Sequence, residues 1–387
     1  MNPIDELLSR RVDKILPSAD ELKKQLESGK KLRLYQGYDP TFSRLHLGHT
    51  VGMRKLMDFA NAGHEVVMLF GTGTVLVGDP SLRDTGRKQI TQEEIDTNIK
   101  GWQDMVSPIV DFEKINIKQN GDWLTKLTLK DIINIASNIS AVQLFKRESF
   151  TRRIANGQTV WYHETMYPLL QGYDSVVMDV DLEIGGTDQE FNMLVGRELQ
   201  RKMNNREKFV LTVPMIMGTD GQQMSKTTGN CIWLDDTAED MYGKIMSLSD
   251  SQIESYWRLL TDLPMDDLED KIKNQPLDTK KQLAFDIARQ FHGEQGAKAA
   301  ADQFQSTVQD KVATEDVEIK PGQYTGVQVA QMSGITDSSS QIKRVFAQGG
   351  VQLNDKKILD GNDMVIIKGE ETFKYGKKFI KKIKESY

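Results

Sequence analysis

Residues 31–70 read KLRLYQGYDPTFSRLHLGHTVGMRKLMDFANAGHEVVMLF, and this stretch decides the architecture. Lys31–Tyr38 alternates as a half-buried strand does, and Asp39-Pro40-Thr41 supplies a turn. Met53, Leu56, Met57 and Ala60 then recur at helical spacing until Gly63 stops the helix. Glu65–Phe70 is a second strand. Strand, helix and strand within this length form a βαβ unit, which implies a parallel sheet.

Outward from this unit, 86–160 is polar and mostly helical, an insertion between two halves of the sheet. Alternation over Val176–Ile184 predicts that the sheet resumes there and breaks at Gly185-Gly186. Lys208–Pro214 is a further short strand. From Asp235 to about 315 the pattern is helical, with Ser249 or Ser251 capping a helix that carries Ile253, Tyr256, Trp257 and Leu260. Pro321-Gly322 marks 316–325 as a linker. Ser338–Ser340 opens a helix bearing Ile342, Val345 and Phe346, which Gly349-Gly350 closes; Val351–Ile358 then reads as strand, turn, strand. The expected fold class is α/β: a doubly wound parallel core over 1–234, a helical domain over 235–320 and a small α+β domain over 325–387.

A length of 387 residues suits two or three domains, and 38% hydrophobic residues suffice for a sizeable core. No window approaches the roughly 18 unbroken apolar residues of a membrane span, and the first residues lack a signal pattern, so a cytoplasmic location is expected. One cysteine, Cys231, excludes an internal disulfide. The net charge of −6 is unevenly spread. Residues 341–387 hold eleven Lys/Arg against six Asp/Glu, a net of +5, which leaves −11 for the rest. A basic tail on an acidic body suits a small domain that meets a polyanion, or else a solvated lysine-rich end.

Two motifs carry chemistry. His46-Leu47-Gly48-His49 opens the first helix, and histidines three apart share one face of its first turn. The free N–H groups and positive dipole end of that turn attract phosphate, and Gly48 permits close backbone approach. The alternatives are two ordinary histidines or a zinc pair. With five histidines and one cysteine in the chain, no further zinc ligand lies at suitable spacing, so no metal site is expected. Gln223-Met224-Ser225-Lys226-Thr227 lies in a Gly-, Ser- and Thr-rich loop, Gly221–Asn230. A mobile lysine flanked by hydroxyls suits migrating phosphate charge; a solvated turn is the plain alternative. Arg83, Arg87 and Lys88 either close over a departing pyrophosphate or are simply solvated. Gly71-Thr-Gly73-Thr-Val-Leu-Val-Gly78 imitates a dinucleotide fingerprint, but its third glycine comes two places late and runs into Asp79-Pro80.

Taken together, the early histidine pair, the late lysine loop and the parallel sheet between them resemble the class I aminoacyl-tRNA synthetases. His46–His49 is similar to the HIGH signature and Gln223–Thr227 to KMSKS, departing at Gln223 and Thr227. Tyr35–Thr41, Tyr167–Asp174, Gly185–Gln189 and Val77–Ser81 resemble the tyrosine-specific branch, in its bacterial subgroup with a C-terminal S4-like RNA-binding domain. The resemblance runs from about residue 30 to the C-terminus.

It implies that tyrosine is activated with ATP and passed to tRNA. His46, His49, Lys226 and Thr41 would be catalytic. Asp39, Gly48, Gly186, Asp188, Gln189, Met224, Ser225, Lys226 and Thr227 would hold ATP. Tyr35 and Asp174 would bind the substrate hydroxyl, and Asp79, Tyr167 and Gln171 its ammonium, with Gly37 alongside. Gln36 and Gly52, on the ribose side, depart from the family pattern. Lys343, Arg344, Lys356 and Lys357 would grip RNA phosphates; Phe373, Tyr375 and Phe379 among the lysines are core or base-stacking residues. No tightly bound cofactor is implied, only Mg2+ with ATP, and a homodimer is expected. A tryptophan-specific relative, a small-molecule nucleotidyltransferase and an RNA-binding descendant that has lost catalysis are the rivals.

Overall fold

A computed structural model describes residues 2–79, 90–224, 228–306, 315–335, 338–376 and 379–385. The chain divides into two compact units, residues 1–236 with 247–283, and residues 237–246 with 284–387.

The first unit is built on six strands: β1 (Lys14–Leu16), β2 (Arg33–Tyr38), β3 (Glu65–Phe70), β4 (Asn116–Gln119), β5 (Leu182–Gly186) and β6 (Phe209–Val213). Their order is β1-β6-β5-β2-β3-β4. All neighbours are parallel except β1, which runs antiparallel to β6 at the edge. The expected βαβ unit is present, with the helix Leu47–Asn61 between β2 and β3 and Gly63 at φ +89° just beyond it. The winding reverses between β2 and β5, since β3 and β4 lie on one side of β2 and β5 and β6 on the other. In such sheets the crevice outside the carboxyl ends of the strands at this switch point binds ligands.

The segment 86–160 is mostly helical as expected, with β4 lying inside it and pairing with β3, Phe70 opposite Gln119. One expectation fails here. Val176–Met178 is not strand. It is the last turn of the helix Tyr162–Met178, which Asp179 ends at φ 50° before β5 begins at Leu182. Lys208–Pro214 does supply β6. Ser249 opens a 3-10 turn that leads into the helix Ile253–Leu260, whose Ile253, Tyr256, Trp257 and Leu260 are all buried.

In the second unit, 316–325 is no linker. It forms β7 (Glu315–Ile319) and β8 (Gly322–Thr325), with Pro321 in the turn between them. Five further strands follow: β9 (Val351–Leu353), β10 (Lys356–Ile358), β11 (Met364–Ile367), β12 (Thr372–Tyr375) and β13 (Phe379–Glu385). They form a five-stranded sheet, β10-β9-β12-β13-β7, and a two-stranded one, β11-β8. Asn354 and Asp355, at φ 47° and 64°, make the tight turn between β9 and β10. The helix Ser339–Ala347 is capped by Ser338 and buries Ile342 and Phe346 in a core with Val351, Phe373 and Ile383. Phe373 and Tyr375 are buried and Phe379 packs against the same cluster, so these three are core residues. Lys343, Arg344, Lys356 and Lys357 are exposed.

Candidate active site

A cavity of about 590 Å3 opens at the switch point. It is lined from β2 and its turn by Tyr35, Gly37, Asp39 and Thr41, and from the signature helix by His46 and His49. Asp79, Tyr167, Gln171, Asp174, Gln189 and Met224 complete the wall among the residues the sequence singled out. Gly48, Gly186 and Asp188 stand directly beside these lining residues without lining the cavity themselves. Ser225, Lys226 and Thr227 lie outside the described residues, as do Arg83, Arg87 and Lys88.

At the phosphate-attracting end, the His46 N–H donates to His49 Nδ1 at 3.1 Å, and the two rings sit 3.8 Å apart. With Nδ1 accepting, a neutral His49 carries its proton on Nε2, so that nitrogen is the donor. Gly48 has a packing reason as well. A Cβ there would come within 3.0 Å of the His46 ring, so the glycine makes room for that ring over the helix start. Gln36 and Gly52, the two departures on the ribose side, prove to be one feature. A Cβ on Gly52 would lie 2.2 Å from Gln36 Oε1, so the glutamine amide fills the space a larger residue would take.

Four carboxylates, Asp39, Asp79, Asp174 and Glu183, line the same cavity. Asp39 accepts from Thr74 Oγ1 (2.7 Å) and from the Tyr167 hydroxyl (3.0 Å). Gly71 exists for this carboxylate, since a Cβ there would overlap Asp39 Oδ1. Gly71 and Gly73 therefore serve internal packing, and the Gly73 N–H donates to Asn120 Oδ1 at 2.7 Å, while Gly78 takes φ +81°. Asp79 accepts from Gln189 Nε2 (2.8 Å) and Arg147 Nη2 (3.2 Å). Burial pushes the Tyr167 phenol up, and the charges of Asp39, Asp79 and Asp174 push the same way.

Asp174 is fully buried. Its oxygens accept from Trp123 Nε1 (2.8 Å) and Asn120 Nδ2 (3.0 Å). Burial nevertheless raises its carboxyl well above the usual range, these two donors opposing it. Tyr35 is equally buried, and its hydroxyl lies 2.8 Å from Ser175 Oγ. Gln171 Nε2 donates to Glu183 Oε1 (3.2 Å), while Gln171 Oε1 is buried with no donor among the described residues. Burial also raises the Asp188 carboxyl, which accepts from Gln189 Nε2 at 2.9 Å.

The residues 27–309 match the model of the class I tRNA synthetases of the W and Y group. Tyrosine–tRNA ligase of Carboxydothermus hydrogenoformans is 39% identical over 98% of this chain and 99% of its own length. The chain belongs to the tyrosine–tRNA ligase family of class I tRNA synthetases. Its relative from Thermotoga maritima, of the same family, is 38% identical over 96% of this chain and 95% of its own. Among solved structures, a C-terminally truncated mitochondrial tyrosyl-tRNA synthetase of Aspergillus nidulans superposes with a TM-score of 0.67 at 20% identity, covering 79% of this chain and 93% of that one. The Archaeoglobus fulgidus tyrosyl-tRNA synthetase, solved with L-tyrosine, gives 0.63 at 21% identity over 78% and 100%. These likenesses establish a shared fold.

Reading the sequence missed the residues that prepare this family's cavity from behind. Asn120 and Trp123 escaped notice because they follow β4, in the segment taken for helix. Ser175, Glu183 and Lys208 escaped because a buried ionic group has no periodicity of its own. The Asn120-Gly121 pair, a turn signal after the Asn116–Gln119 run, was the one clue available.

Proposed function

We propose that the cavity is where this tyrosine–tRNA ligase activates L-tyrosine with ATP before transfer to tRNA. The observation that carries the reading is Asp174, a buried carboxylate oriented by Asn120 and Trp123 at the floor of an acid-lined pocket. It would accept the phenol proton, with Tyr35 beside it. The substrate ammonium would meet Asp79 and the partnerless Gln171 Oε1, in a field to which Asp39 adds. ATP, entering with Mg2+ as substrate, would lie along Gly37–Thr41 with its phosphates at His46, His49 and the start of the signature helix. Asp188 and Gln189 would take the ribose, and Met224–Thr227 would close over the phosphates. Among the described residues no His, Cys, Asp and Glu cluster is arranged to hold a metal ion.

The tyrosine carboxylate attacks the α-phosphorus, pyrophosphate leaves, and the tyrosyl-adenylate stays bound. The terminal hydroxyl of tRNA then takes the tyrosyl group and AMP departs. No side-chain nucleophile is needed; positioning and charge stabilisation supply the rate. The exposed cations Lys343, Arg344, Lys356 and Lys357 would contact tRNA phosphates.

A homodimer in the cytoplasm is the expected form. Leu129, Ile133, Val142, Phe145, Trp161 and Tyr162 are all exposed within one stretch of chain, which supports a self-association surface there. No helix among the described residues is long and apolar enough to cross a membrane.

Adenylate formation in a single turnover without tRNA tests the site. Asp174→Asn should lower kcat/KM for tyrosine by about a hundredfold, the scale for losing a hydrogen bond to a charged partner. An unchanged value would place the phenol elsewhere.

A further inference from the structure

From Glu183 at the cavity wall, a buried polar group extends into the protein that has no part in the chemistry proposed so far. Lys208, on the segment leading into β6, and Glu183 on β5 form an ion pair closed to solvent on both sides. Lys208 Nζ also donates to Ser175 Oγ at 2.8 Å. Ser175 Oγ in turn lies 2.8 Å from the Tyr35 hydroxyl and 3.4 Å from Glu183 Oε2. A glycine pair makes this possible. A Cβ on Gly172 would come within 2.9 Å of the Gly196 Cα, and one on Gly196 within 2.8 Å of Lys208 Nζ and 3.1 Å of Ser175 Oγ. The two helices carrying these glycines therefore approach closely enough to seal the lysine against the serine.

Counting protons leaves the serine a choice of two acceptors, Glu183 and Tyr35. An ammonium can only donate, so Ser175 Oγ spends one acceptor site on Lys208 and keeps one proton to give. Glu183 Oε2 is a long 3.4 Å away and already takes Lys208, whereas Tyr35 is at 2.8 Å. The shorter contact is the better one for that proton, and with the proton on Tyr35 Oη the serine is the donor of the pair. In that arrangement the tyrosine's own proton is available to the cavity, which Asp174 and Glu183 also line. A phenol presents one donor and one acceptor. It would give its proton to Asp174 and receive one from Tyr35. With the serine reversed, the phenol oxygen would face two acceptors and one of them would go unmatched.

We propose that Ser175, oriented by Lys208 and Glu183, is a specificity-determining positioning residue that fixes Tyr35 as the donor to the substrate phenol. The inference rests on the placement of tyrosine against Asp174. Pyrophosphate exchange with tyrosine and with phenylalanine tests it on the full-length protein. Ser175→Ala should lower kcat/KM for tyrosine about tenfold more than for phenylalanine, mainly through KM; this is the ratio expected for one net hydrogen bond. In a Tyr35→Phe background the same change should add almost nothing to the discrimination. Equal losses for both amino acids, or full additivity with Tyr35→Phe, would overturn it. Should the alanine variant fail to fold, Ser175→Cys keeps the volume with a weaker donor and must show the same selective loss, and equal losses there would again overturn the proposal. Asp174→Asn measured alongside separates the two claims. A defective Asp174→Asn with an indifferent Ser175→Ala refutes this inference alone, while indifference of both refutes the placement of tyrosine as well.

Discussion

The backbone of Trp233 bridges that of His46 in antiparallel fashion, and on either side the Leu47 N–H donates to the Ile232 carbonyl (2.9 Å) and the Leu234 N–H to the Leu45 carbonyl (2.8 Å). The chain leaving the lysine loop is thus tied to the start of the histidine motif, about 180 residues earlier. Arg44 reinforces the tie by lying 4.6 Å from the centroid of the Trp233 ring and pairing with Asp235. At the loop's base, Asn230 Nδ2 donates to Asp220 Oδ1 (2.8 Å) and the Gln223 carbonyl (3.0 Å), closing the segment on itself. Met224, the last described residue before the lysine, lines the cavity.

Lys226→Ala should therefore slow adenylate formation by about a hundredfold or more while leaving tyrosine affinity nearly unchanged, because its charge is needed only as phosphate charge moves. Rapid-quench single-turnover rates set beside equilibrium tyrosine titration check this. A normal rate would remove Lys226 from the mechanism.

The pH dependence of tyrosine use should carry the signature of Asp174. Burial raises its carboxyl, and the ionised form is much the stronger acceptor for the phenol proton. As pH falls through that raised pKa the acceptor is lost, so kcat/KM for tyrosine should drop at a pH above the ordinary carboxylate range. Phenylalanine, which offers no proton, should not follow the same limb. Profiles for both amino acids, with Asp174→Asn as the variant lacking the limb, decide the matter.

Gly172→Ala should destabilise the first unit. The new methyl would meet backbone at Gly196 rather than a movable side chain, a clash that costs about 1–3 kcal/mol in packed interiors. Urea unfolding should show the midpoint move down. Gly101, on an open helix surface with nothing near its Cβ position, is the matched control, and Gly101→Ala should be neutral or stabilising.

Replacing Lys343, Arg344, Lys356 and Lys357 together with alanine should spare adenylate formation and weaken tRNA binding. The slope of log affinity against log salt should flatten by about 0.7–0.9 for each phosphate that the variant no longer neutralises. Filter binding across a salt series reads both the affinity and the slope, and an unchanged slope would free the second unit of that role.

The elements that carry the candidate site were legible because they lie at strand ends and helix starts. Tyr35–Thr41 and His46–His49 could be placed on one strand, one turn and one helix start from local pattern, while their grouping into one site was implied by the family resemblance. The 176–178 stretch was misread because Val176 and Val177 suit a strand as well as a buried helix turn, and nothing in composition announces that Asp179 would adopt φ 50°. Pro321-Gly322 reads as part of a linker, because the pairing of β8 with β11, some forty residues on, depends on contacts that no local pattern encodes. Glu183 and Lys208 become meaningful only when β5 and β6 lie side by side and two glycines let the helices above them close.

The most direct test of the account is amino-acid-dependent pyrophosphate exchange by the purified protein across tyrosine, phenylalanine and tryptophan. An aromatic pocket floored by Asp174 and Tyr35 predicts rapid exchange with tyrosine and far slower exchange with the other two. Equal use of tryptophan or phenylalanine would contradict it.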